Sequence, residues 1–327
     1  MKIGVLGLGN FGTALAAHLS EKHENVLAWS QEEDVVNSVN TQNKNIRYLS
    51  HINLSPNLKA TTDLNEMGQE DFLVVALPAV ALQDVFPKLI LSKNTVLVSA
   101  TKGIDHKSGL TPLSSAKIHF GENRHYAVLS GPGFAKDLAS GKPAALVSAS
   151  EDLNIAQKVA EIFTHRNFRV YISNDPIGVE LGGILKNVIA IATGISDGLN
   201  LGDSARAALV TRGFAEMLRL SLAMGAKTET LMGLSGMGDL VLTATCDSSR
   251  NRTLGLKLGQ GESLSDIIKN LGSIAEGASS AELVVRLAKK HGVEMPIAEQ
   301  VHAVLKNEIT PMEMLKNLLN RPLKKEF

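Results

Sequence analysis

The stretch KIGVLGLGNFGTALA, residues 2–16, decides how the first half of the chain is read. Its β-branched, apolar opening predicts a short strand, and FGTALAAHLSEK predicts the helix that follows. Between them Gly7, Gly9 and Gly12 stand in G-x-G-x-x-G spacing. In such a turn the first glycine permits the tight reversal and the second lets the backbone approach a pyrophosphate. The third lets helix and strand pack closely, and the helix N-terminus offers N–H groups and partial positive charge to an anion. The spacing alone is a weak signal, because a glycine-rich turn needs no ligand. Here it follows a strand, opens a helix and heads a run of strand–helix units, which is the context it requires.

That run continues through NVLAWS, DFLVVALP, TVLVSATKG, YAVLSG, AALVSAS and FRVYIS, each bounded by Gly, Pro, Asn or Ser. Near-continuous apolar strands separated by helices predict a parallel sheet covered on both faces. After SNDPIG only helical periodicity remains, broken by glycine-rich turns such as GLSGMGD and GQGES. The expectation is an α/β domain over residues 1–175 followed by an all-α domain over residues 176–327. A chain of 327 residues suits two cores, since single cores stop growing near ~250–300 residues.

Composition narrows the classes of function. Lys+Arg and Asp+Glu number 33 each, so no global field recruits nucleic acid or an anionic membrane. The opening MKIGVLGLGNFG is too short and glycine-broken for a signal peptide. A single cysteine, Cys246, makes an intrachain disulfide impossible and fits a reducing, cytoplasmic setting. It reads as a packing thiol in a helical run. The nine histidines show no metal-ligand spacing, so no metal is expected. The tail RPLKKEF reads as a solvated end.

The second informative stretch is GVELGGILKNVIAIATGISDG, residues 178–198. It places one lysine, Lys186, in apolar company, where an unpaired charge is costly to bury. It is read as too short and too charged at its centre to span a bilayer. On a helix, Lys186 shares a face with Gly182, Gly183, Ala190, Thr193 and Asp197, while Leu181, Leu185, Val188, Ala192 and Ile195 make a core face. Small neighbours leave room for a ligand at the ammonium. A lysine snorkelling outward past a glycine-mediated helix contact is the alternative. A partly desolvated lysine suits proton transfer to an oxygen as hydride reaches carbon.

Taken with GLGNFGTALA, ATKGI, LSGPGFAKDLASGKP, ELGGILKNVIAIATGISDGL, GMGDLVLTATCDSSRNR and IAEG, the chain resembles the bacterial NAD(P)-dependent glycerol-3-phosphate dehydrogenases over essentially its whole length. The resemblance implies a Rossmann domain joined to a helical domain. It also implies reversible conversion of dihydroxyacetone phosphate to sn-glycerol 3-phosphate with NADP or NAD, supplying glycerophospholipid synthesis. By motif, Lys186 is the proton donor and acceptor. Lys102, Gly131, Gly133, Lys186, Asp239, Ser249, Arg250 and Asn251 are implied at the substrate. Gly7, Gly9, Asn10, Phe11, Gly12, Ser30, Lys102, Ala135, Arg250 and Glu276 are implied at the cofactor. Asn187 belongs to the lysine's polar cluster, and Thr243 either shares Asp239's face or is an ordinary buried threonine. Without the surrounding motif, SSRNR reads as a solvated loop.

The chain departs from the family pattern at Gly133, Phe11, the IAEG segment and Ser30–Gln31, where a basic residue often follows the second strand. Ser30 can donate to a 2′-phosphate and admits NADP, while Glu32 can turn back to a ribose and admit NAD. Two competing readings are a related β-hydroxyacid dehydrogenase and a non-catalytic dinucleotide sensor. The apolar segment ARAALVTRGFAEMLRLSLAMG is either ordinary core or the interface of a homodimer.

Overall fold

The computed structural model describes residues 1–105, 108–271, 276–323 and 325–326. Lys324 and Phe327 of the expected solvated tail, and Ile274 and Ala275 of IAEG, lie outside the described residues. The chain divides into two compact units, Met1–Glu180 with Gly233–Ser235, and Leu181–Met232 with Gly236–Phe327.

The first unit is built on strands β1 (Ile3–Leu6), β2 (Val26–Trp29), β3 (Leu58–Thr61), β4 (Phe72–Val75), β5 (Val96–Ser99), β6 (Tyr126–Ser130), β7 (Ala144–Ala149) and β8 (Phe168–Ser173). They form one sheet in the order β3-β2-β1-β4-β5-β6-β7-β8. β1, β4 and β5 are buried at every position, as expected for strands covered on both faces. One core, including Ile3, Val5, Leu15 and Leu19, packs on one face, and another, including Leu6, Leu73, Leu97 and Phe86, packs on the other. The sheet is mostly parallel, which corrects the all-parallel expectation at one seam: β7 runs antiparallel to β6, and β8 is parallel to β7. Strand direction leaves no trace in an apolar run. β3 is a further strand that the sequence did not announce; only Leu58 and Ala60 face the core, while Lys59 is exposed.

The strand order reverses at β1, whose neighbours are β2 and β4. The crevice at the carboxyl ends of such strands is where open α/β sheets take ligands. Gly7 stands at the end of β1, and Lys102 lies three residues past β5.

The helical unit centres on Pro176–Gly198, which begins in the first unit and continues through the second. Here the structure corrects the sequence reading twice. The helix is long and apolar enough to cross a membrane by length and composition, with a hydropathy of 1.4, yet 94% of that window is buried inside the protein. Nor is only one face core: residues 181–196 are buried all round. Its C-terminal half lies against Arg250–Gly259 through glycines. A Cβ on Gly194 would stand 2.1 Å from the Arg252 carbonyl oxygen, and one on Gly255 would stand 2.1 Å from that of Ile191. The segment GLSGMGD is also more than a turn: Leu234–Gly238 is a π-helical turn running directly into the helix Asp239–Thr245. Cys246 ends that helix in extended conformation and is only half-buried, rather than a packed core thiol.

Candidate active site

In the first unit the glycine turn forms as its spacing dictates. Gly7 has φ +103°, a backbone conformation that favours glycine. Gly12 is required by packing, because a Cβ there would lie 1.9 Å from the Gly7 carbonyl oxygen. Gly9 is different. Its φ of −68° suits any residue, and a Cβ on it would meet nothing within 4 Å. Neither conformation nor packing explains that glycine; it leaves open space at the N-terminus of Asn10–Lys22, the kind of helix start that can take an anion. The first turn of this helix carries no acidic residue.

Around that turn the structure gathers several expected residues. The Lys102 ammonium donates to the Gly131 carbonyl at 3.1 Å and stands 5.5 Å from the centre of the Phe11 ring. Phe11 and Ala135 pack on the same core of the sheet. Gly131 has φ +144° and holds its turn against Leu146. Gly133 is half-buried, with Leu146 Cδ2 3.5 Å from where its Cβ would be. Asn10 is exposed at the start of the helix. Ser30 stands just past the end of β2. It is buried, and its hydroxyl accepts the Glu32 N–H at 3.2 Å. The sequence reading found no arginine at this strand end, but folding brings one: Arg47 reaches Glu32 Oε1 at 3.2 Å.

In the helical unit Lys186 does not snorkel. It is 6% exposed, and its ammonium donates to Asp239 Oδ1, a carboxylate only 1% exposed, and to Thr243 Oγ1 at 2.9 Å. Asp239 and Thr243 lie one turn apart on the helix that the π turn introduces, so one helix face supplies both partners. Thr243 is therefore part of the ammonium's setting. Asn187, the next residue, accepts from Asn251 Nδ2 at 2.9 Å, and Asn251 Oδ1 accepts the Gly277 N–H at 2.9 Å. Three helices thus meet beside the lysine, one of them beginning at Glu276.

Ser249 caps the helix Arg250–Gly259 by accepting the Arg252 N–H at 3.2 Å. Arg250 opens that helix and is exposed, and no acidic residue occupies its first turn. The second arginine of SSRNR has a different place. Arg252 is buried and bonded to Asp197 at 2.7 Å and to Asp247 at 2.6 Å. Asp197, on the expected lysine face, is thereby a structural partner, also held by Arg206 at 3.0 Å. Among the described residues no group of three His, Cys, Asp or Glu side chains converges as a metal site.

A glycine turn on a mostly parallel sheet, followed by a helical unit with a buried and paired lysine, is the architecture of a two-part dinucleotide-dependent dehydrogenase. Two family descriptions narrow that class: the NAD-dependent glycerol-3-phosphate dehydrogenase N-terminus matches residues 2–156, and the corresponding C-terminus matches residues 175–316. The chain belongs to the NAD-dependent glycerol-3-phosphate dehydrogenase family. A relative from Geobacter sulfurreducens, named glycerol-3-phosphate dehydrogenase (NAD(P)+), is 46% identical over 99% of this chain and 98% of its own. One of the same name from Syntrophotalea carbinolica is 47% identical over the full length of both. The crystal structure of a glycerol-3-phosphate dehydrogenase from Coxiella burnetii superposes with a TM-score of 0.93 at 39% identity, covering 98% of this chain and 99% of that one.

Proposed function

We propose that this chain interconverts dihydroxyacetone phosphate and sn-glycerol 3-phosphate with NADP or NAD, in the cytoplasm, for glycerophospholipid synthesis. The reading rests above all on Lys186: a family member that keeps a lysine buried against a buried carboxylate spends stability on a charge that packing does not need. The competing readings lose ground on two different residues, Lys186 and Arg250. A nucleotide sensor needs no proton donor. A hydroxyacid dehydrogenase needs no phosphate handle such as Arg250 on a capped helix start with no acidic residue in its first turn.

In this reading the unit Met1–Glu180 holds the nucleotide and the unit from Leu181 onward carries the substrate chemistry. Gly7, Gly9, Asn10, Phe11 and Gly12 hold the diphosphate, and Lys102, Ala135, Arg250 and Glu276 complete the cofactor's surroundings. The nicotinamide, when bound, supplies or receives the hydride. Lys186 gives its proton to the ketone oxygen in reduction and takes the hydroxyl proton in oxidation. Asp239 and Thr243 fix the direction in which the ammonium points, so little reorganisation accompanies the transfer. Ser249, Arg250 and Asn251 receive the phosphate, where a guanidinium and helix N–H groups suit a dianion. Lys102, Gly131 and Gly133 border the three-carbon part of the substrate.

A homodimer joined through the helix Asp203–Ala223 belongs to the same proposal. Its buried residues are Gly213, Glu216, Met217, Leu220 and Ser221, and in its mixed N-terminal half Ala205, Ala207, Ala208, Leu209 and Val210 are exposed or half-buried, where a partner could cover them. The test of function is the loss of reduced-nicotinamide absorbance on mixing the protein with dihydroxyacetone phosphate and each reduced cofactor. Turnover of a hydroxyacid without turnover of dihydroxyacetone phosphate would sink the reading.

A further inference from the structure

At the carboxyl end of β2, Glu32 stands twenty residues after Gly12, the spacing at which a carboxylate in this fold reaches the ribose hydroxyls of NAD. Its Oε1 accepts from the Tyr48 hydroxyl at 3.0 Å and pairs with the Arg47 guanidinium at 3.2 Å. Arg47 also reaches Asp34 at 3.6 Å and lies over the Tyr48 ring at 5.7 Å. Both charged partners are accessible, with side chains 53% exposed for Arg47 and 22% for Glu32.

The loop carrying Arg47 is fastened to the nucleotide turn itself. Asn45, 0% exposed, donates from Nδ2 to the Leu8 carbonyl and to the Thr13 hydroxyl, both at 2.8 Å. Leu8 lies between Gly7 and Gly9, and Asn45 Oδ1 accepts the Tyr48 N–H at 3.2 Å. One buried side chain therefore fixes Arg47 and Tyr48 relative to both the diphosphate turn and the end of β2. The β1–β2 pairing of Leu6 with Trp29 sets these two strand ends side by side.

We propose that Arg47, not Ser30, receives the 2′-phosphate of NADP, and that the Glu32–Arg47 pair sets the choice between the two cofactors. With NAD, Glu32 accepts the ribose hydroxyls and Arg47 stays paired to it. With NADP, the phosphate dianion repels Glu32 and draws away the exposed guanidinium, whose fork suits phosphate. Ser30 is only 5% exposed, whereas the Arg47 side chain is 53% exposed. This inference rests on the nucleotide-binding reading above.

The test is calorimetric titration of the full chain with 2′,5′-ADP, 5′-AMP, NADPH and NADH. Arg47→Ala is expected to weaken 2′,5′-ADP and NADPH by roughly 10-fold or more while leaving 5′-AMP and NADH within about twofold. Arg47→Lys should keep part of the loss from appearing. Glu32→Gln should act oppositely, weakening NADH and tightening NADPH. Unchanged 2′,5′-ADP affinity in Arg47→Ala, or an equal loss of 5′-AMP, overturns the assignment. Wild-type protein that binds none of the four ligands overturns the nucleotide-binding reading as well.

Discussion

The Lys186 ammonium donates to the Thr243 hydroxyl at 2.9 Å, and that hydroxyl lies 3.4 Å from the carboxylate of Asp239. The three groups form a closed triangle inside the helical unit. On the proposed mechanism Lys186→Ala lowers kcat by ~10²–10⁴, while nucleotide titration is unaffected. The same change strands a buried carboxylate, which costs about 3–5 kcal/mol. Pairing Lys186→Met with Asp239→Asn should recover most of the melting temperature and none of the turnover. Activity restored along with stability would remove the lysine from the chemistry.

The two arginines of SSRNR should fail in different assays. On the proposed reading Arg250 holds the phosphate from an exposed helix start, so Arg250→Ala should raise KM for the phosphorylated substrate and cost less thermal stability than Arg252→Ala. Arg252 is buried and paired with Asp197, whose side chain is only 9% exposed, so Arg252→Ala should lower stability by a few kcal/mol, on the order seen when one partner of a buried pair is removed. Steady-state kinetics and calorimetric melting of both variants separate the two roles.

Glycine-to-alanine changes within the turn make a similar contrast. Gly12→Ala sets a methyl 1.9 Å from the Gly7 carbonyl oxygen, so folding and nucleotide binding should both suffer. Gly9→Ala meets nothing in the protein, so its melting temperature should stay near wild type while nucleotide affinity falls. If Gly9→Ala bound nucleotide normally, the open space at Gly9 would have some other cause.

Two buried glutamates make stability depend on pH. Burial pushes the carboxyl of Glu180 up to about 7, against the Leu113 N–H bonded to it, and that of Glu216 up to about 7, against the Ile297 and Ala298 N–H groups. Their ordinary value is 4.5. Between these values the folded chain holds protons that the unfolded chain has released. Stability contributed by each group is thus present in acid, falls as pH rises through this window, and is lost above about 7. Glu180→Gln and Glu216→Gln keep an acceptor for those N–H groups without the charge. Each should raise the melting temperature near pH ~8 and change it little near pH ~5. Equal effects at both would mean the carboxyls are already ionised in acid.

Much of this was legible along the chain because the signals are local. Apolar runs mark the strands, three glycines mark the turn, and a lysine among aliphatics marks the centre of the helical unit. What escaped depends on contacts between distant segments. Arg47 is fifteen residues from Glu32 and meets it only because Asn45 pins the intervening loop to Leu8. Asp197 looked like part of the lysine's polar face until Arg252 folded onto it. β3 was missed because its inward pattern is carried by only Leu58 and Ala60. The antiparallel β7 was missed because hydrophobicity has no direction. The π turn before Asp239 read as an ordinary glycine loop, though glycine there is demanded by crowding: a Cβ on Gly236 would stand 2.0 Å from the Leu231 carbonyl oxygen.

The contact of Gly194 and Gly198 with Gly255 and Gly259 acts as a caliper. Because backbone meets backbone there, the separation between the helix carrying Lys186 and the helix opening with Arg250 is set by missing atoms, with no flexible side chain to absorb a change. A methyl at any of these four positions would prise the jaws apart and shift the lysine relative to the arginine. On the proposed roles of Lys186 and Arg250, a gauge of this kind would discriminate by molecular length, favouring a substrate whose reacting oxygen and anionic end are one fixed span apart.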